Sequence, residues 1–79
     1  NRTPGECYKL VAETIAKNRD IANIQVYTPR QLIDEVESPS AALQEFITLY
    51  ERVRYSRYTD TADLAQLNTL AAVVKEEYS

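Results

Sequence analysis

Apolar residues recur along this chain at three- and four-residue steps, and the runs are separated by hydroxyl and acidic residues, often next to proline. That step is the period of a helix with one buried face, not the alternation of a half-buried strand. The first run opens on Thr3-Pro4-Gly5-Glu6. A threonine oxygen there can accept a first-turn N–H, and a glutamate three residues on can reach back to the cap. Proline at the first helical position has no N–H to leave unpaired. Tyr8, Val11 and Ile15 then make one stripe, with Leu10 and Ala16 near it and Lys9, Glu13 and Lys17 mostly outside it. The pattern predicts a helix over 4–18, ending near Asn18.

Thr28-Pro29-Arg30-Gln31 repeats the arrangement with glutamine in the acid's place, and Leu32, Ile33 and Val36 give a short apolar face that stops near Glu37. Ser38-Pro39 reads as a third start, with Ser38 as cap and Pro39 at the first helical position. Ala42, Leu43, Phe46, Ile47, Tyr50 and Val53 follow as a continuous stripe, so a helix is expected over 39–56. Thr59, Asp60 and Thr61 offer caps for a fourth helix over 61–77. Asp63 would sit in its first turn, where the helix dipole favours an anion. Leu64, Leu67, Leu70, Ala71 and Val74 build its stripe, with Tyr78 at the far end. Glu76 and Glu77 fall where the dipole disfavours them, so fraying is expected there. Residues 19–27 alternate Ile21, Ile24 and Val26 with polar residues over too short a run to decide. They form either an extended segment laid across the bundle or one extra helical turn around Asp20 to Asn23.

The expected fold class is therefore all-α: a compact bundle of four helices, the second short, with an irregular segment between the first two, forming a single domain over 1–79. Its centre should be Val11, Ile15, Leu43, Phe46, Ile47, Tyr50, Leu67 and Val74. Composition agrees. The chain of 79 residues has one glycine, too few for the turns that most β-sandwiches and barrels need. A domain this small buries roughly 60% of its unfolded surface, so its margin is thin. One cysteine allows no internal disulfide, and no histidine is present, which removes the usual zinc-ligand sets. Helix packing has to supply the stability.

The formal charge is −3 with acids and bases mixed, which argues against nucleic acid as a partner and against general adhesion to anionic membranes. A helix-turn-helix reading of 28–56 fails on its reading helix. Pro39-Ser40-Ala41-Ala42-Leu43-Gln44-Glu45 offers no arginine or lysine, and Glu45 would meet phosphate. No apolar run reaches the ~20 residues of a membrane span. Without histidine, Cys7 has no imidazole to hold it as thiolate, so it is expected to be a small packing residue. Asp34, Glu35 and Glu37, and the pair Glu76 and Glu77, read as solvated faces. No catalytic, cofactor-binding or metal-binding residue is expected.

One region holds a candidate interaction surface: Arg52, Arg54, Tyr55, Arg57 and Tyr58, close behind Tyr50. From Arg52 to Tyr58 there are three arginines and no acid. Arginine with aromatics can bind carboxylates, phosphates or bases. The competing reading keeps Tyr50 and Val53 in the core, uses Tyr55 or Tyr58 to close its end, and leaves the arginines in water at the helix C-terminus, where they suit the dipole.

Two segments carry a family resemblance. Tyr27-Thr28-Pro29-Arg30-Gln31-Leu32 and, further on, Leu49-Tyr50-Glu51-Arg52-Val53-Arg54-Tyr55-Ser56 resemble the paired motifs of the C-terminal domain of unknown function found in prokaryotic transglutaminase-like membrane proteins. The resemblance spans most of residues 8–78. Gln31 stands where that family usually has an acid, and Ser56 where it usually has glycine. The resemblance implies a cytoplasmic tail that follows a transmembrane helix, held near the membrane by its tether. The catalytic Cys-His-Asp triad of such proteins belongs to another domain. A start at Asn1 rather than methionine is expected of a piece of a longer membrane protein. Two functions follow as expectations. One is a non-enzymatic accessory or protein-interaction domain that contacts other domains of the parent membrane protein. The other is a small regulatory domain that binds an anionic ligand through the Arg52–Tyr58 region.

Overall fold

A computed structural model of the chain describes residues 2–23, 27–56 and 60–79, and four helices run through them: α1 Pro4–Arg19, α2 Pro29–Glu35, α3 Ala41–Arg54 and α4 Thr61–Tyr78. No strand occurs among the described residues. The all-α expectation holds, with the short second helix in its place. Both capping boxes form. Thr3 Oγ1 accepts the Glu6 N–H at 3.2 Å while Glu6 Oε1 accepts the Thr3 N–H at 2.9 Å. Thr28 and Gln31 repeat the exchange at 3.2 and 2.9 Å, because a glutamine carbonyl accepts as well as a carboxylate does.

α1 ends at Arg19, one residue beyond Asn18, and a left-handed residue closes it. Asp20 has φ 55 and its N–H reaches Ala16 O, as does that of Ile21 at 3.0 Å. This paired closure leaves Ile21 half-buried against the core, the hydrophobic contact that usually accompanies such a cap. Neither sequence alternative for 20–23 describes it. The left-handed turn redirects the chain, and Asn23 at φ 57 repeats the device. Ile24, Gln25 and Val26, which shared that expectation, lie outside the described residues. Asp20 is a costly choice here, since a Cβ is disfavoured at positive φ and a carboxylate opposes the C-terminal dipole. Asp20→Gly should therefore raise stability by about 0.5–1 kcal/mol in urea denaturation. A loss of stability would show that Asp20 has a role that this cap geometry does not supply.

The third helix begins later than its sequence predicts. Ser38 is left-handed at φ 52, so it cannot cap, and Pro39 lies ahead of the helix rather than in it. The cap is Ser40, extended at φ −65 and ψ 160, whose Oγ accepts the Leu43 N–H at 3.2 Å. Contacts remote in sequence select it. Ser40 N–H donates to Tyr78 Oη at 3.0 Å, and Ser40 Oγ donates to Glu77 Oε1 at 3.0 Å. The same pair of bonds holds the end of α4, where Tyr78 is buried and helix persists through it. The fraying expected around Glu76 and Glu77 is thus replaced by a clasp. Asn18 Nδ2 completes it by donating to Tyr78 O at 2.7 Å.

These ties also fix direction. Arg2 N–H bonds Asn68 Oδ1 and Asn18 bonds Tyr78, so α1 and α4 run the same way. α3 runs against α4, with Ser40 beside Tyr78 and Arg52 beside Asp63. α2 packs on α3. Cys7, Val11, Ile15, Leu32, Leu43, Phe46, Leu67 and Val74 are fully buried between them, and Ile47 is nearly so. Tyr50, expected at the centre, is only half-buried. Its ring stacks between Tyr8, with centroids 4.7 Å apart, and Phe46, 6.1 Å away. A phenol keeps its oxygen near water or a partner, which places Tyr50 at the margin of the core.

Candidate interaction surface

Of the residues singled out by sequence, Arg52, Arg54 and Tyr55 lie where α3 ends. Val53, the last apolar residue of the α3 stripe, is buried, so its neighbours Arg52 and Arg54 must point outward. Tyr55 closes the helix at φ −94 and ψ 0, and its N–H returns to Glu51 O. That backbone turn carries its ring away from the core, and Tyr55 is 80% exposed. Of the two tyrosines that the competing reading offered to close the end of the bundle, Tyr55 does not do so, while Val53 is buried and Tyr50 half-buried. Arg57 and Tyr58 lie outside the described residues.

The acid that the local sequence lacks comes from α4. Arg52 Nη2 lies 2.9 Å from Asp63 Oδ1, joining the end of α3 to the first turn of α4. Nearby, Arg30 Nε pairs with Glu51 Oε1 at 3.4 Å. Both pairs are largely exposed, where such contacts contribute about 0–1 kcal/mol. Their effect on the surface is larger than their effect on stability, because they cancel charge. Arg54 is left with no carboxylate in ion-pair range among the described residues, and its guanidinium carbon stands 5.7 Å from the centroid of the Tyr55 ring. Behind it, burial and then Tyr50 push the Tyr8 phenol above its ordinary value of 10.0, while the Arg54 charge opposes them. The Tyr8 phenol donates to Tyr27 O at 3.2 Å. The arrangement presents one arginine on an exposed aromatic shelf, backed by a stacked and hydrogen-bonded tyrosine pair.

Other candidates were brought together less. Asp34, Glu35 and Glu37 are all exposed, as are Glu76 and Glu77. Among the described residues no three of Cys, Asp and Glu gather to hold a metal ion, and no helix is long and apolar enough to cross a membrane. A shallow depression that sequence reasoning missed lies between the ends of α1 and α4, with Lys17 and Lys75 on its rim and Asn18 and Tyr78 beneath. Only the parallel course of the two helices brings those lysines together. Its polar groups already bond within the fold: Thr14 Oγ1 donates to Leu10 O, and Asn18 to Tyr78 O.

Cys7 is fully buried in the first half of α1, with Sγ 3.9 Å from Arg2 O. Burial raises its thiol above the ordinary 9.0, partly offset by Arg2. A thiol shifted this way ionises less in the folded chain than in the unfolded one. Its contribution to stability is thus present below the ordinary thiol range and lost as pH rises through the raised value. Tyr8 acts in the same direction. Alkylation of Cys7 at neutral pH should therefore run well below the rate of a free cysteine, and the melting temperature should fall as pH climbs past the ordinary thiol value. A rate at or above that of free cysteine would reverse the assignment of Cys7 as packing.

Compared with known proteins, the chain matches no family model, no curated protein and no solved structure.

Proposed function

We propose that this chain is a non-enzymatic accessory domain that docks onto another domain of the protein it belongs to, through the corner where α3 ends. The observation that carries this is Tyr55, 80% exposed beneath an arginine that has no acid partner among the described residues. A single exposed aromatic is ordinary on a protein surface. A tyrosine beneath a guanidinium with no acid partner among the described residues is less so, because the pair combines rigid apolar area with directional donors, and both residue types are enriched where binding energy concentrates. The setting comes from the two segments at Tyr27–Leu32 and Leu49–Ser56. Their resemblance to the tail of a transglutaminase-like membrane protein favours a tethered position on the cytoplasmic face of the membrane. The missing histidine and the inert surroundings of Cys7 favour a role without catalysis.

The test uses Arg54→Gln combined with Tyr55→Ala. Both side chains are exposed and neither makes an ion pair among the described residues, so the melting temperature should stay within a few degrees. Arg52 is left alone, because its bond to Asp63 joins two helices. Association with the separately produced soluble domains of the parent protein should weaken at least tenfold, measured by calorimetry. Undiminished association in the folded double variant overturns the proposal.

A further inference from the structure

Resting on the docking surface just proposed, we infer that the Arg54–Tyr55 corner takes a single carboxylate side chain on an extended peptide segment of a partner protein. Counting charges after pairing selects this occupant. The corner's described arginines are Arg30, Arg52 and Arg54. Glu51 neutralises the first and Asp63 the second. An anionic lipid surface attracts in proportion to free cations, about 1 kcal/mol for each one near it, and a nucleic-acid backbone also needs several. One unpaired arginine among the corner's described residues, on a chain of net charge −3, is a poor match for either polyanion. It is a sufficient match for a carboxylate, because a guanidinium offers two parallel N–H donors to two carboxylate oxygens.

The surroundings favour that use. The guanidinium carbon stands over the Tyr55 ring, 5.7 Å from its centroid, and no acid among the described residues pairs with it. The ring also gives apolar area on which the aliphatic part of an adjoining residue can lie. The partial negative charge of the α3 C-terminus works against an anion here, and it limits the affinity to the millimolar range for an isolated peptide, of order 1 mM or about −4 kcal/mol. Docking of a whole domain would add to it through neighbouring contacts.

The isotope-labelled chain is titrated with a capped alanine peptide carrying one central glutamate, with the matching glutamine peptide, and with vesicles of phosphatidylglycerol. The expected result is saturable shifts of the amides of residues 51–56 by the glutamate peptide, at least tenfold weaker binding of the glutamine peptide, and weakening by salt. Arg54→Gln should reduce the glutamate response at least tenfold, and Arg54→Lys should fall between, since an ammonium keeps the charge and loses the fork. Equal response to both peptides, full binding by Arg54→Gln, or binding to vesicles alone each overturns the inference. Association with the parent's domains separates it from the docking proposal. If Tyr55→Ala abolishes that association and Arg54→Gln leaves it unchanged, docking stands and the carboxylate site falls. If the glutamate peptide binds as expected while the double variant still associates, docking through this corner falls and the carboxylate site stands.

Discussion

Phe46→Ala should destabilise the domain by about 3–5 kcal/mol, a large part of the 5–15 kcal/mol typical of a folded domain. Phe46 is the largest fully buried side chain, on the face of α3 that meets the other helices, and its ring continues the stack through Tyr50 to Tyr8. Truncation removes apolar contact and leaves a cavity whose walls belong to several helices, so no single element can shift to fill it. For a chain of this length each kcal/mol moves the midpoint by roughly 4–8 °C, so the variant should be largely unfolded at temperatures where the parent is intact. Phe46→Leu should cost much less, because it keeps most of the volume. Urea denaturation followed by helical circular dichroism measures both. A cost under about 1 kcal/mol for the alanine variant would mean that the packing around α3 is not the one described.

The second large effect lies at the start of α3, where its cap meets α4. Tyr78→Ala should cost about 3–5 kcal/mol, although it changes the residue next to the last. Its ring is buried, and its hydroxyl accepts the N–H of Ser40, the residue that caps α3. Removing the side chain opens the core and strips one helix cap of a partner at once. Tyr78→Phe separates the two losses. It keeps the ring and forfeits one hydrogen bond, so about 1 kcal/mol is expected. Ser40→Ala should cost a similar ~1 kcal/mol as a lost N-cap. Because both variants break the same clasp, the double variant Tyr78→Phe/Ser40→Ala should cost less than the sum of the two. Amide exchange gives an independent reading. The last turn of α4 should be protected in the parent chain and should open in Tyr78→Ala. Rapid exchange there in the parent would restore the frayed end that the dipole argument leads one to expect.

The interaction surface shows a different limit of sequence reading. Arg52, Arg54 and Tyr55 were legible as a basic and aromatic cluster because they are neighbours in the chain. Their status was not. Asp63 cancels Arg52 from another helix, and Arg54 keeps its charge because no acid among the described residues reaches it. Whether Tyr55 faced the core or the solvent depended on the φ and ψ of one closing residue, which no spacing rule encodes. The depression beside Lys17 and Lys75 was invisible for the same reason, since its two sides come from opposite ends of the sequence.

The sequence by itself determined the elements. Apolar residues at helical spacing and hydroxyl or acidic caps just ahead of them are local signals. A helix forms or fails within a few residues of its own start, so α1, α2 and α4 begin where their caps predict. Most of the core follows too, since a stripe of Val11 and Ile15 or of Leu43 and Phe46 has only the neighbouring helices against which to hide. The tertiary structure decided what local signals leave degenerate. Ser38 and Ser40 carry the same capping side chain, and the left-handed backbone at Ser38 with the bonds of Ser40 to Tyr78 and Glu77 places the cap at Ser40. Asp20 could end a helix or extend it, and burial of Ile21 favours the left-handed turn. Glu76 and Glu77 oppose a helix dipole worth about 0.3–1 kcal/mol per charge, and the buried ring of Tyr78 outweighs it. In each case the local preference amounts to about 1 kcal/mol or less, and a single buried side chain or a pair of remote hydrogen bonds is enough to override it.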